Sequence, residues 1–335
     1  MSVSFEAVAP TRVDLAGGTL DIWPVYLMLE EPITVNLAIS LRTRAVVRKA
    51  PRGRFVLRSF DHGTEEVFSS IDEARARARH RLAAEALYAS PCAGAEIETE
   101  SGVPPGSGLG GSSSLAVALL AALAGHVGAA AMRHGLSILA SNMEGRVIRV
   151  PPGTQDHLAA AFGGLSAWHW GLYGFRHEPL PTDARWLARH LVLAYTGVTH
   201  SSAENNWRVV KAFLDGDSGV RRGFDEVAAA AREVRAALLA KDLGGVAAGM
   251  DRDSKARERL FPGFHTDLSL SLSRAARKAG AVGGRPCGAG GGGSLVFLVE
   301  DEDHCAPVGA ALERGGATLL PVVPDLKGVQ VRRIA

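Results

Sequence analysis

The sequence predicts two lobes, each mixing α-helices with β-strands. Three observations lead there. The chain has 335 residues, more than one domain of about 100–200 residues holds. Its composition, 47% hydrophobic and 21% charged, is that of a folded protein with a core, too apolar for a disordered chain. Strand-like runs alternate with helix-like runs in both halves, with no repeat. The boundary is placed near residue 185, giving lobes of residues 1–184 and 185–335.

The elements follow in order. Residues 3–15 and 33–48 are rich in Val, Ile, Leu and Thr and read as strands, separated by a Gly17-Gly18 turn. Arg54 to Ser59 and Glu65 to Phe68 form a hairpin around Asp61-His62-Gly63. Asp72 to Ala89, rich in Ala, Arg and Leu with an acidic start, reads as one helix. Ala95 to Glu100 is a strand running into a Pro/Gly/Ser loop, Ser101 to Gly111. Ser112 opens an apolar helix to about Gly125, and Gly135 to Val147 is a second helix before the loop Pro151-Pro152-Gly153. In the second half, His190 to Thr196 is a buried strand, Arg222 to Lys241 and His265 to Ala279 are helices, and Ser294 to Glu300 is a strand. Asp303 to Gly315, Thr318 to Val323 and Gly328 to Ile334 read helix, strand, strand.

Composition removes several function classes. Lys plus Arg total 37 and Asp plus Glu total 35, a net charge of +2, which argues against a dedicated nucleic-acid binder. Cys92, Cys287 and Cys305 are odd in number and far apart, so neither a disulfide framework nor a Cys-x-x-Cys metal site fits, and a cytoplasmic location is expected. The N-terminus lacks the pattern of a signal peptide. The most apolar stretch, Leu115 to Ala124, is short of the about 20 residues that cross a bilayer.

Three glycine loops carry the chemistry. The first of them, Val103 to Ser114, reads as a phosphate cradle. Its glycines let backbone N–H groups converge on an anion, and the following helix adds free N–H groups and the positive end of its dipole. A β-branched side chain at Gly108 would stand in that cradle. Gly106, Gly108 and Gly111 also match G-x-G-x-x-G. Pro104-Pro105 stands where a strand should precede the loop, however, and no acidic residue lies between Glu100 and Glu144, so a dinucleotide fold is disfavoured. No Gly-Lys pair, H-E-x-x-H or G-x-S-x-G occurs. In the second loop, Gly153 to Gly164, Asp156 could orient or deprotonate a hydroxyl, or cap a helix. Glu144 could ligate a metal or stand on the surface. The third, Arg285 to Ser294, holds four consecutive glycines. Their entropic cost implies close approach of the backbone to a ligand or to another loop, and Cys287 reads as a packed thiol.

These loops, in this order, resemble the GHMP kinase superfamily of galactokinase, homoserine kinase and mevalonate kinase. Pro10 to Asp21 looks like its first motif, Pro104 to Ser113 the second and Arg285 to Gly293 the third. Ala16-Gly-Gly-Thr19, Gly153-Thr-Gln-Asp-His157 with Phe162-Gly-Gly164, and Gly288-Ala-Gly-Gly-Gly-Gly293 most resemble the sugar-kinase branch, with its heptose 7-phosphate kinases and fucokinase-like enzymes. The resemblance implies an N-terminal ATP-binding lobe and a C-terminal ferredoxin-like lobe. It also implies ATP and Mg²⁺ as cofactors and a small-molecule sugar or sugar phosphate as partner, with no nucleic acid or membrane, and it admits a homodimer.

The resemblance further assigns residues. Pro105, Gly106, Ser107, Gly108, Leu109, Gly110, Gly111, Ser112 and Ser113 would wrap the ATP phosphates. Ser112 and Glu144 would hold Mg²⁺. Asp156 would be the catalytic base or orienting carboxylate, with Arg12 beside the reacting hydroxyl. Gly17, Gly18, Thr19 and Asp21 would bind the acceptor, and Gly288, Gly290 and Gly291 would close over it. Galactokinases carry Gly-Glu-His where this chain has Gly17-Gly18-Thr19, which speaks against galactose. Gly111 replaces the first of two serines usual in the second motif. A phosphorylated acceptor needs an extra anion site, for which Arg42, Arg44 and the Thr199-His200-Ser201-Ser202 segment are candidates. The expected reaction is transfer of the γ-phosphate of ATP to a hydroxyl of a sugar or sugar phosphate, heptose 7-phosphate being favoured. An anomeric kinase of a free sugar and a non-catalytic ligand-binding module on the same fold are the alternatives.

Overall fold

The computed structural model describes residues 4–128, 130–199 and 203–334, with 203–205 described for the main chain only. The first sheet holds β1 (Ser4–Ala16), β2 (Ile33–Lys49), β3 (Phe55–Ser59), β4 (Thr64–Phe68), β5 (Ala95–Ser101), β6 (Leu165–Gly171) and β7 (Gly174–Pro179). The second holds β8 (Leu191–Tyr195), β9 (Gly283–Pro286), β10 (Ser294–Leu298) and β11 (Thr318–Leu320). The last strand, β12 (Gln330–Ile334), returns to the first sheet and pairs antiparallel with β1. The helices are α1 (Ile71–Arg77), α2 (Arg81–Ala89), α3 (Gly111–Ala124), α4 (Ala130–Ile148), α5 (Gln155–Phe162), α6 (Ala184–Arg189), α7 (Ala203–Leu214), α8 (Ser218–Ala240), α9 (Leu243–Leu260), α10 (Asp267–Lys278) and α11 (Cys305–Arg314).

The strand β2 is long enough to serve two neighbours. Ile33 to Leu37 pair with β6, and Thr43 to Lys49 pair with β5. Its first seven residues are all buried, with Ile33, Val35, Leu37 and Ile39 alternating with Thr34, Asn36 and Ala38, so both faces of that half are covered. The helix α3 is apolar around most of its circumference and is correspondingly buried against β1, β2 and α4. Among the described residues no helix is long and apolar enough to cross a membrane.

In the second sheet the strand order is β11-β8-β10-β9, with every neighbour antiparallel. Numbered in chain order this is 4-1-3-2, with helices between the first and second and between the third and fourth strands, the ferredoxin-like arrangement. The two sheets share one core. Val13 and Leu37 of the first, Val234 of α8, Val246 of α9 and Val296 of the second belong to a single apolar cluster. We propose the division of lobes near residue 185, with β12 the segment of the second half that serves the first sheet.

Several elements differ from expectation for stated reasons. Asp72 to Ala89 is two helices. The break at Arg79-His80 is held by the Glu66 carboxylate, which accepts from both main-chain N–H groups at 3.0 and 3.2 Å. The α3 helix starts at Gly111, after a left-handed Gly110 (φ +75°), so Ser112 lies in its first turn rather than capping it. Asp156 lies in the first turn of α5, whose N-cap is Thr154. The α9 helix escaped the sequence reading because its buried face includes Asp253, Ser254 and Arg257, which hides the apolar period. Strand β9, Gly-Gly-Arg-Pro, carries none of the β-branched or aromatic residues that signal a strand.

Candidate active site

A cavity of about 680 Å³ runs between the lobes. It is walled by β1, the loop before α3, the inner faces of α4 and α5, and Arg257 of α9. At its middle, Arg12 grips Asp156 with two parallel bonds, Nε to Oδ1 and Nη2 to Oδ2, both 2.7 Å. A two-pronged guanidinium–carboxylate pair fixes orientation as well as charge. Arg12 Nη1 also donates to Gly108 O at 2.6 Å, and its main-chain N to Leu109 O at 3.0 Å, so β1 is stitched to the glycine loop. Burial pushes the Asp156 carboxyl up, while the Arg12 guanidinium opposes that rise.

Gly106, Gly108 and Gly110 all adopt left-handed φ, between +68° and +75°. A Cβ on Gly110 would stand 3.1 Å from Asp156 Oδ2, so the loop lies directly against the carboxylate. The first main-chain bond of α3 closes from Ser114 N to Gly110 O. The N–H groups of Gly111, Ser112 and Ser113 therefore have no partner within the helix, at the end where its dipole is positive. Pro105, Ser107, Ser112 and Ser113 line the cavity with these glycines. Leu109 does not; it is fully buried in the shared core.

Glu144 of α4 reaches the same wall. Its Oε2 accepts from Ser113 Oγ at 2.7 Å and lies 2.8 Å from His157 Nε2. Burial raises the Glu144 carboxyl, but His157 and the Ser112 and Ser113 hydroxyls outweigh it and hold it below the usual range. The sequence reading gave His157 no role, although it follows Asp156 in the second loop. A histidine of unassigned partner carries no signal of its own.

Beyond Arg12 the cavity is lined by Gly18, Thr19, Asp21, Gln155, Arg257 and Gly288. Asp21 Oδ2 accepts from Gln155 N at 2.8 Å. Gly17 does not line the cavity. Its N–H donates to Asp253 Oδ1 at 2.9 Å, and at φ +84° a Cβ would strike Ile33 O. Behind this end lies a buried ion set that sequence spacing could not show. Arg285 meets Asp14 at 3.2 Å and Asp253 at 2.8 Å, and Arg257 meets Asp253 at 3.3 Å.

The third glycine loop packs on protein. Gly288 lines the cavity and abuts Gly108 O; Gly290 packs on Phe264; Gly291 N donates to Phe264 O at 2.9 Å. Gly290 and Gly291 do not line the cavity. The run of glycines thus serves loop-to-loop approach, the second of the two uses expected. Cys287 is fully buried, and burial pushes its thiol up to about 12. Arg42 and Arg44 lie outside the cavity, paired with Asp325 and with Glu6. They are structural ion pairs, not an anion site. Of the third candidate, residues 200–202 lie outside the described residues, and Thr199 does not line the cavity.

Burial pushes the Asp21 carboxyl up to about 6, with Asp156 adding to the rise. Its folded pKa is above the unfolded one, so the native state binds the proton more tightly and stability falls as pH rises from about 4 to 6. Asp21→Asn is therefore expected to stabilise the free protein above pH 6 by up to about 3 kcal/mol, with the gain vanishing below about pH 4. Urea unfolding at pH 4 and pH 7.5 measures this. An equal midpoint shift at both pH values would contradict it.

Residues 76–164 match the family described as the GHMP kinases N terminal domain. The D-glycero-alpha-D-manno-heptose 7-phosphate kinase of Campylobacter jejuni is 25% identical over 316 residues, covering 87% of this chain and 88% of that one. The galactokinase of Mycobacterium tuberculosis is 28% identical over 356 residues, covering 95% and 94%. The crystal structure of a D-glycero-D-manno-heptose 1-phosphate kinase from Bacteroides thetaiotaomicron superposes with a TM-score of 0.78 at 22% identity, covering 99% of each chain. The chain is thus similar to GHMP kinases along most of its length, carries a stretch that matches their N-terminal domain and shares their two-lobed fold.

Proposed function

We propose that the protein is an ATP- and Mg²⁺-dependent cytoplasmic kinase that phosphorylates a hydroxyl of a sugar or sugar phosphate, heptose 7-phosphate being favoured. One observation carries the reading. The paired Arg12 and Asp156 lie directly against the glycine loop, in one cavity with Glu144, Ser112 and Asp21. Kinase relatives of the two names given above cover most of the chain and favour a sugar acceptor.

In this reading the N–H groups at the start of α3 and the loop from Gly106 to Gly111 hold the phosphates. Asp156 orients the acceptor hydroxyl and takes its proton as the hydroxyl oxygen bonds to the γ-phosphorus and the bond to the bridging oxygen of ADP breaks. Arg12 fixes the Asp156 carboxylate and offsets negative charge spreading over the phosphoryl oxygens. The residues fit Mg²⁺: Ser112 offers an exposed hydroxyl and Glu144 a carboxylate held below its usual range, both hard oxygen donors. Among the described residues no three His, Cys, Asp or Glu side chains cluster as a metal site, so Ser112 and Glu144 would share the ion with ATP oxygens and water. Bound there, the ion neutralises phosphate charge.

ADP release from Mg-ATP across a panel of sugars and sugar phosphates tests the activity; no release with any of them would refute it. Ser112→Ala and Glu144→Gln are expected to raise the Mg²⁺ concentration for half-maximal rate by about tenfold or more, in line with lost ligands. A metal titration matching wild type would remove them as ligands.

A further inference from the structure

One buried polar group beside the cavity has no task in the chemistry above. His157 is fully buried on α5 and does not line the cavity, so it cannot act on nucleotide or acceptor directly. Its Nε2 stands 2.8 Å from Glu144 Oε2, within hydrogen-bond range but out of line. Neither ring nitrogen has any other partner among the described residues. Asp156, one position earlier, lines the cavity instead. Consecutive positions on a helix point about 100° apart, so one turn of α5 sends a carboxylate into the cavity and an imidazole toward Glu144 of α4.

Packing alone is a poor account of this ring. A buried imidazole with an unpaired nitrogen gives up hydration that nothing replaces, a cost an apolar side chain of similar volume avoids. Leu158, Ala159, Ala160 and Ala161, the next four residues of α5, are buried and apolar. Leucine or methionine at 157 would extend that run. What histidine adds is an N–H donor beside the Glu144 carboxylate.

Glu144 has a use for such a donor. Its side chain turns about several bonds, whereas a metal ligand must keep one oxygen in one place. Ser113 Oγ donates to Oε2 at 2.7 Å, and His157 meets the same oxygen. Oε1 takes neither contact, and the Ser112 hydroxyl is the further partner of the carboxylate. Ser113 comes from α3 and His157 from α5, so the carboxylate is gripped by two helices other than its own.

We infer that His157 is a positioning residue for the metal: with Ser113 it holds Glu144 Oε2 and so offers Oε1, beside Ser112, to Mg²⁺. This rests on the kinase reading above, which gives Ser112 and Glu144 the ion. Because Asp156 and His157 are consecutive, the group that takes the proton and the group that sets the metal ligand are placed by the same helical turn.

The test is calorimetric titration of the full chain with the β,γ-imido analogue of ATP, once with Mg²⁺ and once with EDTA. The ratio of the two dissociation constants reads the metal's contribution without turnover and without an acceptor. His157→Met removes the N–H at similar volume. It is expected to cut that ratio by about 10–100-fold, the loss typical when a group that orients a metal ligand is removed, and to leave the EDTA value within about threefold of wild type. His157→Gln carries an amide N–H to about the place of Nε2 and is expected to keep the ratio within about threefold of wild type. A wild-type ratio in His157→Met would overturn the inference. So would equal weakening with and without Mg²⁺, which would make His157 a packing residue, or a loss in His157→Gln as large as in His157→Met. If His157→Met does not fold, the wild-type protein decides through a histidine side-chain ¹H–¹⁵N spectrum. The hydrogen is expected on Nε2 with and without the Mg²⁺ complex; a bare Nε2 cannot donate and would overturn the inference. A wild-type ratio near one would remove the Mg²⁺ assignment and this inference with it. A metal-dependent wild type beside an indifferent His157→Met would remove this inference alone.

Discussion

Asp156→Asn is expected to lower kcat by about 10²–10⁴-fold, the range lost with a general base. Asparagine keeps the size but removes both charge and basicity. It also turns an NH₂ group toward one prong of Arg12, whose side chain is almost fully buried. An uncompensated buried guanidinium costs about 3–5 kcal/mol, so the variant should also melt earlier. The two effects separate experimentally. Turnover is measured well below the variant's own Tm, and nucleotide affinity is measured on the same preparation. Nucleotide Kd is expected to change little, because Asp156 touches the loop only from the side of Gly110. Turnover within about threefold of wild type in a folded variant would remove Asp156 from the chemistry.

Gly108→Val is expected to abolish nucleotide binding and to destabilise the fold together. Sequence alone suggested that a side chain here would block the nucleotide and nothing else. In the structure a Cβ at Gly108 would stand 2.6 Å from Cys287 O, and its φ of +74° is one that a β-branched residue adopts only under strain. The left-handed backbone alone costs about 1–2 kcal/mol, before the two loops are forced apart. Gly108 O is also a partner of Arg12 Nη1, so displacing the loop disturbs the Arg12–Asp156 pair. A lowered Tm with at least a hundredfold rise in nucleotide Kd is the expected pair of results. Wild-type values of both would refute the packing argument.

Legibility differed by the range of the interaction. Strands β1, β2, β5, β8 and β10 were readable because buried strands are dense in Val, Ile and Leu, a local property. Helices α8 and α10 keep a clear apolar face and were readable too. Helix α9 and strand β9 were not, since they give inward positions to Asp253, Arg257 and Arg285, whose burial is tolerable only with partners on other elements. Within the glycine loops the sequence marked where the backbone must bend, but not what it bends toward. Gly290 looked like a ligand contact and meets Phe264 instead, while Gly288 abuts Gly108 and also lines the cavity. Arg42 and Arg44 looked available for an anion and proved to be spent on Asp325 and Glu6.

The sequence by itself determined the resemblance to the GHMP kinases, the order of the three loops and the residue types that phosphoryl transfer uses, because glycine, proline and the apolar period act through neighbours in the chain. Tertiary structure alone decided the pairings: Arg12 with Asp156 across 144 positions, Arg285 with Asp14 across 271, and His157 folded back on Glu144. Those pairings set which charges remain unspent in the cavity, and a buried charge is tolerated only where a partner from elsewhere in the chain neutralises it.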